Sequence, residues 1–175
     1  MMFIAAAGLI FFVKFVTSII VSTKNYDAYE TVYLYVPLLI VAVVFMCFDQ
    51  FLGSVYSATK HPKNSFWTAF VACAVNIPMN YFLIPVWGIN GAAIATLLSY
   101  LICFWARIID ARYYVPFRWN AVKNGVNTVL LLVMCAVMMT EVKLHLLWAF
   151  ILAAVIIAMN FSSLLTTVNK LLKRS

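Results

Sequence analysis

Apolar residues run along this chain in long uninterrupted stretches parted by short polar breaks. The stretches cover residues 3–21, 30–57, 66–86, 91–109, 126–139 and 144–165. The breaks fall at 22–27, 59–64, 87–90, 115–123 and 141–143. At a rise of 1.5 Å per residue, about 20 apolar residues in a helix cross the hydrocarbon core of a bilayer. Within lipid every backbone N–H and C=O must be satisfied inside the protein, so only helices and closed barrels span it. Barrel strands alternate apolar and polar residues over about ten positions. These stretches do not alternate and most are about twice that length, so the pattern predicts an all-α bundle of about six transmembrane helices. The stretch 126–139 is the shortest and has room to begin near Ala121. Breaks of a few residues make consecutive spans antiparallel neighbours in one transmembrane domain, 1–175.

Composition supports the same solvent. The chain has 175 residues, of which 66% are hydrophobic and 10% charged. A soluble domain is nearer 25% charged, so this one has too little polar surface to cover a globule in water. The formal net charge of +7 sits in the breaks between spans and not in a patch on soluble elements, which points to membrane topology and away from nucleic acid. Grouping alternate breaks puts Lys60, Lys63, Arg107, Arg112, Arg118, Lys123, Lys170, Lys173 and Arg174 on one side, against Lys24 and Lys143 on the other. Basic loops stay in the cytoplasm, so both termini are expected there. Tyr29, Tyr33, Trp87 and Trp148 mark the outer interface; Trp67, Trp105, Tyr114 and Trp119 mark the inner one. The first stretch lacks the basic start of a signal peptide and carries Lys14 where an apolar core is needed, so it reads as a span. Cys47, Cys73, Cys103 and Cys135 are scattered singly through apolar runs, without the spacing of a zinc or redox pair.

Candidate chemistry lies in the polar residues inside these spans, which cost free energy in lipid and face a bundle interior or a watery cavity. Lys14 reads as a cation lining a cavity or, equally, as a lysine that snorkels to the interface or pairs with Asp49. Asp49 and Gln50 lie in the inner half of the second span, as a proton or sodium site, as a structural partner of Lys14 or of a neighbouring backbone, or as a group reaching the cytoplasmic interface. Asn76 and Asn80 share one helix face at i, i+4, where interhelical hydrogen bonding is the simpler role. Pro78 and Pro85 remove backbone hydrogen bonds in the same span and favour a kink. Gly91, Ala92, Ala93 and Ala95 open the fourth span with small residues that let helices approach closely. No Gly-rich phosphate loop, H-E-x-x-H or G-x-S-x-G is present, and neither an enzyme, a metal site nor a cofactor is expected.

The stretch Asn76-Ile-Pro-Met-Asn80-Tyr-Phe-Leu-Ile-Pro85-Val-Trp-Gly88-Ile-Asn-Gly91-Ala92-Ala93-Ile-Ala-Thr96-Leu-Leu-Ser99-Tyr100 resembles the polysaccharide-unit flippases of the multidrug/oligosaccharidyl-lipid/polysaccharide exporter superfamily. Those proteins carry an asparagine pair, an apolar stretch ending Ile-Pro, then Gly-x-x-Gly-Ala-Ala-x-Ala-Thr. The segment Tyr56 to Ser65 looks like the cytoplasmic loop before that helix, and Tyr26 to Tyr29 with Val36-Pro37-Leu38 looks like the preceding outer loop and helix. The likeness covers residues 20–115. It implies that the six spans correspond to the last six of a larger transporter, the final two being a peripheral pair, with the N-terminal half or a partner chain supplying the rest. It also implies a bacterial inner-membrane protein that moves an undecaprenyl-diphosphate-linked oligosaccharide between leaflets by alternating access, with membrane lipids around it. Two alternatives stay open: a multidrug or lipid II exporter of the same superfamily, and a non-transporting scaffold of a polysaccharide synthesis complex.

Overall fold

The computed structural model describes residues 1–20, 35–116, 120–140 and 144–172. The outer break 22–27 with the Tyr26–Tyr29 likeness, residues 30–34 of the second stretch, Arg118, Trp119, the turn 141–143, Lys173 and Arg174 lie outside them. The described residues form six helices and no strand: α1 (Met2–Phe11), α2 (Val13–Ile20), α3 (Val36–Ala58), α4 (Pro62–Ala111), α5 (Ala121–Met139) and α6 (His145–Leu172). Of these, α3, α4 and α5 are each long and apolar enough to cross a membrane. Large apolar side chains such as Phe66, Trp67, Phe82, Val86 and Phe150 are exposed. Such surface is aggregation-prone in water and unremarkable against acyl chains. The fold is an all-α assembly with membrane-spanning character.

The 3–21 stretch is not one straight span. It breaks at Phe12, and α1 and α2 diverge by 69°. The cause lies in the helical stripe. Phe3, Ala6, Ala7, Ile10 and Val13 follow i, i+3, i+4 spacing and are all buried. A straight continuation would place Lys14 one heptad beyond Ala7, which has no exposed surface. Bending at Phe12 takes the ammonium out of that apolar seam, and Lys14 ends half-buried.

Helix α4 would be about 75 Å long if straight, far more than a bilayer needs. It folds back at Gly88, whose φ of 55° and ψ of −130° are open only to glycine. The result is a hairpin with legs 62–87 and 89–111, each extending a few residues past the stretches 66–86 and 91–109. Immediately after the turn, a Cβ on Gly91 would collide with the backbone carbonyl of Leu83, so the legs close here only because position 91 has no side chain. Pro62 occupies the first turn of α4, where its missing N–H costs nothing. Helix α3 ends just before it with Lys60 at φ 60° and His61 N–H donating to the Tyr56 carbonyl at 2.8 Å, a Schellman-type close. Helix α5 begins at Ala121, and α6 runs past 165 to Leu172.

The chain gathers into two compact units, one of residues 1–37 and 121–175, the other of 38–120. In the first, α1 packs on both α5 and α6, which pack on each other. The buried stripe of α5 is Leu131, Met134, Cys135 and Met138, again at i, i+3, i+4, i+7. Inside this unit Asn127 and Asn160 are almost fully buried. Asn160 Nδ2 donates to Asn127 Oδ1 at 2.9 Å and Asn127 Nδ2 returns a bond to Asn160 Oδ1 at 3.4 Å. In the second unit, α3 packs on the hairpin through Phe45 and Phe48, whose rings lie 5.4 and 5.6 Å from that of Phe104.

Candidate functional site

The polar side chains of the second unit converge between α3 and the two hairpin legs. The legs run antiparallel about Gly88, which brings residues far apart in sequence face to face. Near the open end Asn64 Nδ2 donates to the Asp110 carboxylate at 2.9 and 3.1 Å and to Tyr114 Oη at 2.9 Å. Midway, Arg107 Nε donates to Thr68 Oγ1 at 3.1 Å. Closer to the turn, Asn76 Nδ2 donates to Ser99 Oγ at 3.0 Å, and Ser99 Oγ donates to the Ala95 carbonyl at 2.7 Å. Asn80 Nδ2 donates to both Asn76 Oδ1 and the Asn76 carbonyl at 2.9 Å. Thr96 Oγ1 returns to the Ala92 carbonyl at 2.9 Å. Each bond satisfies a group that lipid cannot.

Arg107 joins α3 to this ladder. Its guanidinium donates from Nη1 to the Asp49 backbone carbonyl and from Nη2 to the Ser65 carbonyl at 3.5 Å. One side chain thereby touches α3 and both legs. Gly53 leaves it room: a Cβ there would lie 3.1 Å from Arg107 Nη1. The count of basic residues puts Arg107 with the cytoplasmic set although it lies within the stretch 91–109. Arg107 is 7% exposed and inside the helix, because a guanidinium finds enough acceptors there to replace water. The sequence carried the signal, since Arg107 sits within the apolar run 101–109.

Asp49 is the complement of Arg107. It is 3% exposed, and neither carboxylate oxygen has a hydrogen-bond partner among the described residues. The guanidinium and the Cys103 thiol are close enough to act on its charge, but the thiol proton is directed to the Thr68 carbonyl, 3.7 Å from Sγ. Asp49 lines a cleft of about 490 Å³, along with Gln50, Asn76, Thr96, Ser99 and Tyr100. That volume falls in the range of about 300–1,000 Å³ typical of small-molecule sites. Cys73 is exposed on the same wall.

Of the sequence candidates, the structure brings Asp49, Gln50, Asn76 and Thr96 to this cleft, with Asn80 bonded behind Asn76. Lys14 belongs to the other unit, at the start of α2. Pro85, Gly88, Gly91, Ala92 and Ala93 build the hairpin turn and the tight start of its second leg, with Ala93 2% exposed. Sequence reasoning missed Arg107 as an inward-facing group and the Asn127–Asn160 pair, and read Ser99 only as part of the family-like stretch. Comparison with family models, with curated proteins and with solved structures finds no match.

Proposed function

We propose that this chain forms part of a multi-pass transporter of a bacterial inner membrane that moves lipid-linked oligosaccharide units between leaflets. The observation that carries the reading is the polar cleft inside apolar helices. A membrane protein that only held partners together would gain nothing from a bare buried carboxylate, which costs free energy in lipid and is retained where polar cargo or ions pass. Helix-breaking residues near a cavity recur in transporters, and Pro78 and Pro85 lie within one leg of the hairpin. The resemblance of 76–100 to polysaccharide-unit flippases supports lipid-linked oligosaccharide as the cargo.

The test is transfer in proteoliposomes. An undecaprenyl-diphosphate-linked oligosaccharide is placed in one leaflet, and exposure of its sugar to an external lectin is followed with time. The chain is reconstituted alone and together with the N-terminal half of a flippase of this kind. Transfer well above protein-free vesicles, lost in Asp49→Leu, supports the reading. Rates equal to protein-free vesicles in both reconstitutions reject it.

A further inference from the structure

We propose that the outer surface of the hairpin, at its open end, is a site for an anionic phospholipid, with the phosphate between Lys63 and Arg112 and the glycerol region against Trp67 and Trp105. The ligand is a lipid of the surrounding bilayer and not cargo, since none of these four residues lines the cleft.

Bonds between the legs place these residues. Asn64 bonds to Asp110 and Thr68 to Arg107, and this register sets Lys63 level with Arg112. It also brings Trp67 and Trp105 to within about 5 Å of the same depth, at 1.5 Å rise per residue. Each leg therefore repeats one arrangement. A cation stands at the open end, and a tryptophan lies on the same helix face nearer the middle of the leg. The spacing is four residues from Lys63 to Trp67 and seven from Trp105 to Arg112, both of which return to one face. All four residues are exposed, Trp67 at 62% and Trp105 at 51%. The other faces of the legs are taken: Phe104 packs on Phe45 and Phe48 of α3, and Thr68 and Arg107 fill the seam between the legs.

This order of groups matches a phospholipid in depth. Tryptophan settles at the boundary of headgroups and acyl chains, which serves both its apolar ring and its N–H. The cations stand about 6–10 Å nearer water, at the level of the phosphate. Below them the rings of Phe66, Trp67 and Phe70 lie 5.8–6.3 Å from one another and form an apolar wall for the upper acyl chain. Charge selects the headgroup. Lys60, Lys63 and Arg112 stand at this end against one carboxylate, Asp110, which already accepts from Asn64. Neither Lys63 nor Arg112 has an ion pair among the described residues. A zwitterionic headgroup brings an ammonium that these cations repel. An anionic one brings only acceptors, which suit a guanidinium and an ammonium. A second copy of the chain in the same orientation would set like charges together here.

The test uses the full chain in phosphatidylcholine vesicles, with Trp87→Phe, Trp119→Phe and Trp148→Phe so that tryptophan emission comes from Trp67 and Trp105 alone. Dibrominated phosphatidylglycerol or dibrominated phosphatidylcholine is titrated in, and quenching gives the relative association of the two lipids. Phosphatidylglycerol is expected to be favoured about fivefold or more at low salt, the equivalent of one basic side chain at an anionic surface. Lys63→Gln and Arg112→Gln are each expected to reduce that preference, and the double variant to bring it close to unity with helix content unchanged. Equal quenching by the two lipids overturns the proposal, as does a preference that survives the double variant. Absence of quenching by either lipid also overturns it, because protein then covers the face, whether a second copy or another chain. Spin-labelled phosphatidylglycerol and phosphatidylcholine, added to the chain with all five tryptophans, give the same ratio by electron paramagnetic resonance if the triple variant does not fold. Cargo transfer is a separate readout, and its success or failure leaves this lipid preference untouched.

Discussion

Arg107 and Asp49 show how one side chain settles the cost of another inside a membrane. The guanidinium is paired with two carbonyls and a hydroxyl, and its charge acts on the buried Asp49 carboxylate. Removing only the cation leaves an uncompensated buried charge, which costs about 3–5 kcal/mol. Arg107→Met is therefore expected to destabilise the chain by that order in denaturant unfolding followed by tryptophan fluorescence. The double variant Arg107→Met with Asp49→Asn is expected to recover at least half of the loss, because no net charge is then buried. Equal losses in the single and double variants would show that the guanidinium acts only through its hydrogen bonds. In the other unit, Asn127 and Asn160 bond to each other and, among the described residues, to nothing charged. Replacing either with Leu strands its partner, so the double replacement is expected to cost less than the sum of the singles, with a coupling of about 0.6–2 kcal/mol.

Helix breaks follow from physical causes of different visibility. The turn at Gly88 and the approach at Gly91 were marked in the sequence by Gly-x-x-Gly-Ala-Ala, and the structure shows why glycine is needed at each. A methyl at position 91 has no space against the Leu83 carbonyl, and Gly91→Ala is expected to cost about 1–3 kcal/mol through overpacking. Gly8 and Gly125 have open space around a built Cβ. Gly8→Ala and Gly125→Ala are expected to be neutral or to stabilise by about 0.5–1 kcal/mol, since alanine is the better helix former. The same unfolding measurement separates the two classes. The break at Phe12 has no glycine or proline to announce it. It arises because Lys14 would otherwise enter the seam of Ala7 and Ile10. Lys14→Leu is expected to lessen the bend, read as a longer distance between spin labels at the exposed positions Leu9 and Ile19.

At the scale of the molecule, the hairpin ties function to orientation. Its tip and its open end lie at opposite ends of the legs, so in a spanning arrangement they face opposite sides of the membrane. The distribution of basic residues assigns the open end to the cytoplasm. Ile89→Cys, at the exposed tip, is expected to react with an impermeant thiol reagent only from outside intact cells. Lys63→Cys, exposed at the other end, is expected to react only after the membrane is opened. The reverse pattern would invert the topology and place the Asn64–Asp110–Tyr114 cluster at the outer face.

The chain's own pattern of long apolar runs determined that it is helical and membrane-embedded, because hydrogen-bond satisfaction in lipid leaves few other solutions and composition alone reveals the solvent. It also marked Asp49, Asn76 and Asn80 as inward-facing and placed the hairpin turn within a residue or two, since charge in an apolar run and glycine at a reversal are local signals. Only the tertiary structure decided which polar groups meet. That Arg107 reaches Asp49, Thr68 and Ser65, that Asn127 finds Asn160, and that Lys14 belongs to a different unit from Asp49 depend on how helices distant in sequence dock. Such contacts are set by the fit of surfaces such as Phe45, Phe48 and Phe104, and by the turn at Gly88 that fixes the register of the two legs.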